Sequence, residues 1–173
     1  MNENIDIIRR YTAYGSVGAS TVRGLRTKGV VAAARTALSK VELSRYGTAD
    51  HAEFTFALER DTQSVCDGLP VGARYWGVAR KVLNIFLRGS LYNIYLSNYF
   101  ELAQAEALFE IPLDSLSANA IRELASERSI PRWLGVKYVT PEINERFQRL
   151  AIEVATERKT SRVHLDALFW GSR

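Results

Sequence analysis

The sequence predicts an all-α protein, a compact bundle of about seven to nine helices. Apolar residues recur with helical spacing through nearly the whole chain, and no segment shows the strict alternation that is typical of a half-buried strand. Breaks rich in glycine and proline separate the helical stretches. The chain has 173 residues, of which 47% are apolar, so it can bury a substantial core. We expect a single domain over residues 1–173.

Three helical stretches are predicted before the clearest loop, which covers residues 67–74. Glycines separate the first two stretches and could interrupt the second. Thr48 or Asp50 is a suitable N-cap for the third stretch, which should run to about Cys66. The first two predicted ranges are 3–14 and 20–44, the latter as one or two helices.

The helix predicted over about 75–99 is apolar on almost every face, so it should lie in the middle of the fold. Further along, Asp114 or Ser115 should cap a helix, and Thr140-Pro141 is a good helix start. An irregular, partly apolar connection is expected over 130–139. The remaining predicted helices cover about 102–109, 140–159 and 162–170.

The positive charge is concentrated in one part of the chain. The net charge is +4, yet residues 1–47 hold eight Lys and Arg against three Asp and Glu, which is a local charge of +5. A basic region on an otherwise balanced protein indicates a polyanion partner such as nucleic acid, or simply a solvated basic face.

Several classes of protein are disfavoured. The one cysteine, Cys66, cannot form an internal disulfide, which favours a reducing compartment. No apolar run approaches the roughly 18 residues of a membrane span, and the N-terminal residues lack the order of a signal peptide. We expect a cytoplasmic protein without a membrane partner.

Two charged residues stand in apolar sequence, 33 positions apart. Lys81 lies near the start of the central apolar stretch, and Asp114 follows Ile111-Pro112-Leu113. Burial lowers the pKa of a lysine and makes its amine nucleophilic. An amine and a carboxylate that meet across a cleft are sufficient for chemistry through a covalent imine.

The loop between the third and the central helix is a candidate phosphate site. A tight hairpin beside a helix N-terminus can present backbone N–H groups to phosphate oxygens without reading sequence. Connections of this kind with glycine are also common without such a role. The candidate DNA contacts are Gly68, Gly72, Arg74 and Arg80.

The order of hairpin, lysine helix and Ile111-Pro112-Leu113-Asp114 resembles the helix-hairpin-helix DNA glycosylase superfamily. The segment Val163–Trp170 is similar to the apolar-Asp-apolar-Trp helix that closes many such folds, and the resemblance covers about residues 65–170. Because Lys81 comes nine residues after Gly72, the chain is most similar to the archaeal 8-oxoguanine glycosylase branch. The resemblance implies two helical lobes with a cleft between them.

The resemblance also implies a role for each residue. Asp114 would stabilise positive charge on the deoxyribose while the glycosidic bond breaks, and Lys81, made partly neutral by burial and a cation such as Arg80, would attack C1′. The target base would be flipped out of the stack. Oxidised guanine is the expected substrate, with a hypermodified base of phage DNA as a variant, so the protein would serve repair or anti-phage defence, as a monomer.

Candidate residues for the base pocket are Asn84, Trp76 and Trp170, although a buried amide and core tryptophans would look the same in the sequence. No metal site is expected, since His51 and His164 are too few and too far apart. No cofactor is expected either, because the four cysteines of iron–sulfur members are absent.

Other functions remain open on the sequence alone. Lys81 could extend to solvent, and Asp114 could serve only as an N-cap. The chain would then be a non-enzymatic helical DNA-binding or regulatory module, or a protein-interaction module with a basic face. A glycosylase that uses Asp114 without Lys81 is a milder alternative.

Overall fold

The computed structural model describes residues 2–125 and 132–171. The all-α prediction is confirmed: within these ranges, the regular structure is helical and there is no strand. The α-helices are α1 (Glu3–Ser16), α2 (Val30–Leu38), α3 (His51–Gly68), α4 (Trp76–Tyr92), α5 (Ile94–Tyr99), α6 (Ser115–Leu124), α7 (Pro141–Glu157) and α8 (Leu165–Gly171). Short 3₁₀ helices cover Leu43–Tyr46, Val71–Ala73, Leu102–Leu108, Val136–Tyr138 and Arg162–His164.

Two predicted helices are shorter than the sequence suggested. Within 20–44, only Val30–Leu38 is α-helical, because Gly24 and Gly29 have φ angles of 87° and 79° that a right-handed helix cannot contain. The helix predicted over 75–99 is divided at Asn93, whose side chain accepts hydrogen bonds from the N–H groups of Tyr95 and Leu96. Asn93 thereby becomes the N-cap of α5.

Helix α4 occupies the centre, as its apolar sequence predicted. It contacts α1, α2, α3, α5 and α7. The larger hydrophobic cluster is built mainly from α1 to α5, and a smaller cluster packs α6, α7 and α8 around Ile111 and Leu113. Part of the predicted irregular connection, residues 130 and 131, lies outside the described residues.

Two ion pairs tie α4 to the parts of the chain that form the smaller cluster. The Arg80 Nε donates to Glu110 Oε2 at 2.8 Å, and Asn144 of α7 donates to the other oxygen of the same carboxylate. Arg88 pairs with Asp166 of α8. These contacts help to fix where α7 and α8 lie relative to the central helix.

Gly77 sets the distance between α4 and the segment that carries Val136–Tyr138. A Cβ placed on Gly77 would overlap the carbonyl oxygen of Val136 and lie 2.6 Å from the Cβ of Val139. We therefore expect Gly77→Ala to destabilise the protein by about 1–3 kcal/mol through overpacking.

Urea unfolding measures this change, with Gly15→Ala as the matched control. A Cβ on Gly15 of α1 meets nothing within 4 Å, so that substitution should be neutral or stabilise the helix by up to about 1 kcal/mol. Equal effects of the two substitutions would contradict the close packing at Gly77.

Among the described residues, no helix combines the length and the apolar character needed to cross a membrane.

Candidate functional site

Lys81 and Asp114 line the same cavity. Its volume is about 370 Å³. Its walls are α4, the N-terminus of α6, residues 18–29 (the turn before α2), the segment before Val136–Tyr138, and α8. The lining residues include Ser20, Thr21, Arg23, Gly24, Lys81, Asp114, Trp133, Gly135, Val136 and Trp170. The fold thus brings together the amine and the carboxylate that the sequence singled out.

Lys81 is the sixth residue of α4 and is half-buried. Its Nζ donates a hydrogen bond to the Thr21 carbonyl oxygen at 2.9 Å. Desolvation lowers the pKa of Lys81 below its usual range, and the nearby carboxylate of Asp114 opposes part of that effect. The amine and the carboxylate interact through space but form no ion pair. Burial shifts the protonation equilibrium of Lys81 toward the free base.

Asp114 is the N-cap of α6. Its Oδ1 accepts from the N–H groups of Leu116 at 2.9 Å and Ser117 at 3.0 Å, while the Ser117 Oγ accepts from the Asp114 N–H. This capping box is the reason the sequence could place a helix start here. The cap also fixes the carboxylate at the cavity wall, where it interacts electrostatically with Lys81 and Arg88.

Two tryptophans border the cavity. Trp170 of α8 was predicted as a pocket residue and does line the cavity, with 56% of its surface exposed. Trp133 lines the cavity as well and packs edge-on against Phe147. The pocket role of Trp170 itself stays a prediction.

The structure places Arg80 and Asn84 away from the cavity, in a buried network around Glu110. Arg80 is only 4% exposed and is held by Glu110 and Glu59, so its guanidinium is not available to a DNA backbone. Asn84 donates to Glu110 at 2.8 Å within the same buried network. Adjacent residues point about 100° apart around a helix, which separates Arg80 from Lys81.

Trp76 also lies on the Arg80 side of α4, where the Arg80 guanidinium stands 5.0 Å from its ring centroid. It is not among the residues that line the Lys81 cavity. The lowered pKa of Lys81 has desolvation as its cause, and the predicted contribution of Arg80 is absent.

The hairpin lies between α3 and α4, where the sequence predicted it, and its glycines are required by close packing. Neither Gly68 nor Gly72 has a positive φ. A Cβ on Gly72 would instead lie 2.8 Å from the Thr27 Oγ1, and one on Gly68 would lie 3.1 Å from the Cβ of Ala37. Arg74 closes the turn by donating to the Leu69 carbonyl at 2.9 Å. The glycines therefore allow close packing against the N-terminal region.

Four of the cavity residues that the sequence missed belong to the turn before α2. Ser20, Thr21, Arg23 and Gly24 form one wall of the cavity. Three cationic residues of this turn are exposed, namely Arg23, Arg26 and Lys28. The same turn packs against the hairpin, where Thr27 lies next to Gly72. The excess positive charge of residues 1–47 indicated a region that could bind a polyanion, but only the fold shows that part of this region borders the cavity.

The described residues offer no group of three or more His, Cys, Asp or Glu side chains that could hold a metal ion. Comparison of the chain with protein-family models, with curated proteins and with solved structures finds no match.

Proposed function

We propose that this protein is a DNA glycosylase with lyase activity, which removes a damaged or modified base and then cleaves the strand. The observation that carries the proposal is the shared cavity of Lys81 and Asp114, in which burial lowers the pKa of the lysine while the two groups stay out of an ion pair. The resemblance of the Ile111–Asp114 motif to helix-hairpin-helix glycosylases supports the same assignment.

The cavity is suited to a flipped nucleotide. An enzyme that acts on a base must first take it out of the stack. A volume of about 370 Å³ lies within the range of ordinary ligand pockets. The indoles of Trp133 and Trp170 offer apolar faces for a base. Oxidised guanine is the proposed substrate, and a hypermodified base of phage DNA is the variant.

Asp114 would act first. As the glycosidic bond lengthens, positive charge develops on C1′ and O4′ of the deoxyribose, and a nearby carboxylate lowers the energy of that state. The backbone N–H groups of Leu116 and Ser117 hold one carboxylate oxygen, so Asp114 would be positioned without any change of rotamer.

Lys81 would then form the covalent intermediate. Its nitrogen lone pair bonds to C1′, the electron pair of the C1′–N bond leaves with the base, and the base takes up the proton that the amine loses. As the sugar ring opens, the nitrogen lone pair forms the C=N bond and the C1′–O4′ electron pair moves to O4′. The remaining N–H proton of Lys81 passes to O4′, which leaves an imine between C1′ and Lys81. Loss of a proton from C2′ then expels the 3′ phosphate and cuts the strand.

The proposed DNA-backbone surface combines the hairpin with the turn before α2. Gly72 and Arg74 lie at the exposed tip of the hairpin, next to Thr27. Arg23 stands at the cavity, with Arg26 and Lys28 further along the same turn. Cations around a pocket that accepts a flipped nucleotide would contact its flanking phosphates.

We expect the double variant Arg26→Gln with Lys28→Gln to weaken binding to duplex DNA and to reduce the slope of log K against log salt by about 0.9 per lost phosphate contact. Fluorescence anisotropy at several salt concentrations measures both quantities. The matched control is Arg158→Gln with Lys159→Gln, which removes the same charge at the exposed end of α7. An equal loss of slope in both double variants would contradict the proposed surface.

The activity is tested by incubating the purified protein with duplexes that carry a panel of altered bases, and with modified phage DNA, in the presence of borohydride. Hydride reduces the imine carbon to a stable amine, so an adduct identifies both the lyase chemistry and the substrate class. Base release without an adduct would assign the reaction to Asp114 alone. Salt-sensitive DNA binding with no release from any substrate would favour a non-enzymatic DNA-binding module.

A further inference from the structure

The Lys81 amine has two possible acceptors in its cavity, and it uses the uncharged one. Its hydrogen bond goes to the Thr21 carbonyl at 2.9 Å, although the Asp114 carboxylate is near enough to influence its pKa. The charged side chains that line the cavity within the described chain are Arg23, Lys81 and Asp114, with the Arg88–Asp166 pair behind Asp114.

The choice of acceptor decides the chemistry of the amine. An ion pair with Asp114 would favour the ammonium form of Lys81, which has no lone pair to donate, and it would also neutralise the carboxylate. A backbone carbonyl accepts one N–H from a neutral amine and leaves the nitrogen lone pair free. The Thr21 contact therefore preserves two functional groups that direct pairing would inactivate.

We propose that the Thr21 carbonyl is a positioning group that keeps the Lys81 amine out of an ion pair with Asp114. This positioning role of Thr21 adds to the proposed glycosylase function, and its biological purpose rests on that function. The assignment of Thr21 itself concerns only the state of the Lys81 amine, which can be measured without DNA.

The turn that carries Thr21 is built to hold this carbonyl in place. Its backbone closes through Thr21 N–H to the Gly18 carbonyl at 3.1 Å, and the Gly18 N–H donates to the Thr21 Oγ1. Val17 and Val22 on either side of Thr21 are buried. Gly24, three residues on, has a φ of 87°, a conformation that alanine adopts only with strain.

The direct test weakens this one carbonyl. Replacing Val22 by its α-hydroxy acid turns the Thr21–Val22 peptide into an ester, whose carbonyl is a poorer acceptor. The matched control is the ester at Ser20, which weakens the Ala19 carbonyl in the same turn. Lys81 reactivity is followed from pH 5 to 11 by reductive alkylation with formaldehyde and cyanoborohydride, quantified at the Lys81 peptide by mass spectrometry.

We expect the Val22 ester to raise the apparent pKa of Lys81 alkylation and to slow alkylation at pH 7 by about tenfold for each unit of that rise. The Ser20 ester should behave as the unmodified protein. In an Asp114→Asn background, the Val22 ester should cause no rise, because the competing carboxylate is gone while asparagine still caps α6. Unchanged or faster alkylation in the first ester would overturn the proposal.

A second route uses ordinary substitutions in the same turn. Gly24→Ala strains the backbone at φ 87°, whereas Gly18→Ala meets nothing within 4 Å and has no positive φ. We expect Gly24→Ala to slow Lys81 alkylation at pH 7 and Gly18→Ala to leave it unchanged. Equal alkylation rates in the two variants would contradict the proposal that this turn positions the Lys81 amine.

These measurements separate the two proposals. If the Val22 ester raises the apparent pKa of Lys81 as expected but no DNA substrate gives an adduct, the glycosylase assignment fails and the Thr21 role stands. If an adduct forms on DNA and the Val22 ester leaves Lys81 alkylation unchanged, the glycosylase assignment stands and the role of Thr21 fails.

Discussion

Lys81→Ala is expected to abolish the borohydride-trapped adduct on every DNA substrate, because the imine nitrogen in the proposed mechanism is the Lys81 Nζ. Strand cleavage through elimination should disappear with the adduct. Slow base release can survive, since Asp114 still stabilises the sugar cation. Denaturing gels of trapped and untrapped reactions measure the adduct, the nick and the released base separately.

Two controls sharpen this prediction. Lys81→Arg keeps a long cationic side chain, but a guanidinium stays protonated and cannot attack, so it should be as inactive in trapping as Lys81→Ala. Lys137→Ala removes an exposed lysine from the segment next to the cavity and should leave trapping unchanged. An adduct that persists in both Lys81 variants would show that another amine is the nucleophile.

The pH dependence of trapping follows from the state of Lys81. Desolvation lowers its pKa from the ordinary value of 10.5, with Asp114 acting in the opposite direction. Only the free base attacks, so single-turnover adduct formation should rise with pH through the lowered pKa and level off before 10.5. A rate that keeps rising up to pH 10.5 would indicate an unperturbed lysine and would contradict the proposed desolvation.

Glu110→Gln is expected to destabilise the protein by about 3–5 kcal/mol, because the buried Arg80 guanidinium loses its buried carboxylate partner and keeps only the half-exposed Glu59. The Glu110 carboxylate accepts from Arg80 and Asn84 at one oxygen and from Arg80 and Asn144 at the other. A glutamine amide would turn one of these acceptors into a donor that faces other donors. Urea unfolding at pH 7 measures the loss.

Glu59→Gln is the matched control, since Glu59 pairs with the same guanidinium but its side chain is 47% exposed. Exposed ion pairs contribute about 1 kcal/mol or less, so this variant should unfold near the wild-type midpoint. Similar losses from both substitutions would show that burial of Glu110 is not what makes its pairing important.

Acid should reproduce the effect of Glu110→Gln. Burial by itself would raise the pKa of Glu110, but Arg80, Arg162 and Asn84 together hold it below the ordinary value of 4.5. The folded state therefore binds this proton more weakly than the unfolded state does. The stabilisation is present above pH 4.5 and is lost as the pH falls through the lowered pKa.

The sequence predicted the features that depend on local chemistry. Asp114 and Thr140-Pro141 start helices because their side chains satisfy free N–H groups within two or three residues. The apolar stretch around Lys81 predicted a central helix because its residues are apolar on almost every face. Asn93 was missed because an asparagine inside an apolar run gives no sign of whether it will cap a new helix.

Features that depend on packing could not be predicted in this way. Arg80 and Lys81 are neighbours in the sequence, and only the arrangement of α3, α6 and α7 around α4 decides which of them faces a carboxylate network and which faces a cavity. The turn before α2 was equally hidden, because the sequence does not show that Thr27 packs against Gly72 or that the Thr21 carbonyl reaches Lys81.

The walls of the cavity come from distant parts of the chain, from Ser20 near one end to Trp170 near the other. Because ribosomes deliver a chain from its N-terminus at about 5–20 residues per second, a nascent chain would carry Lys81 and Asp114 before it carried the indole of Trp170. Lys81, the proposed nucleophile, is therefore synthesised several seconds before Trp170, which completes the cavity. Chemistry that needs the complete cavity would therefore wait until Trp170 has been synthesised.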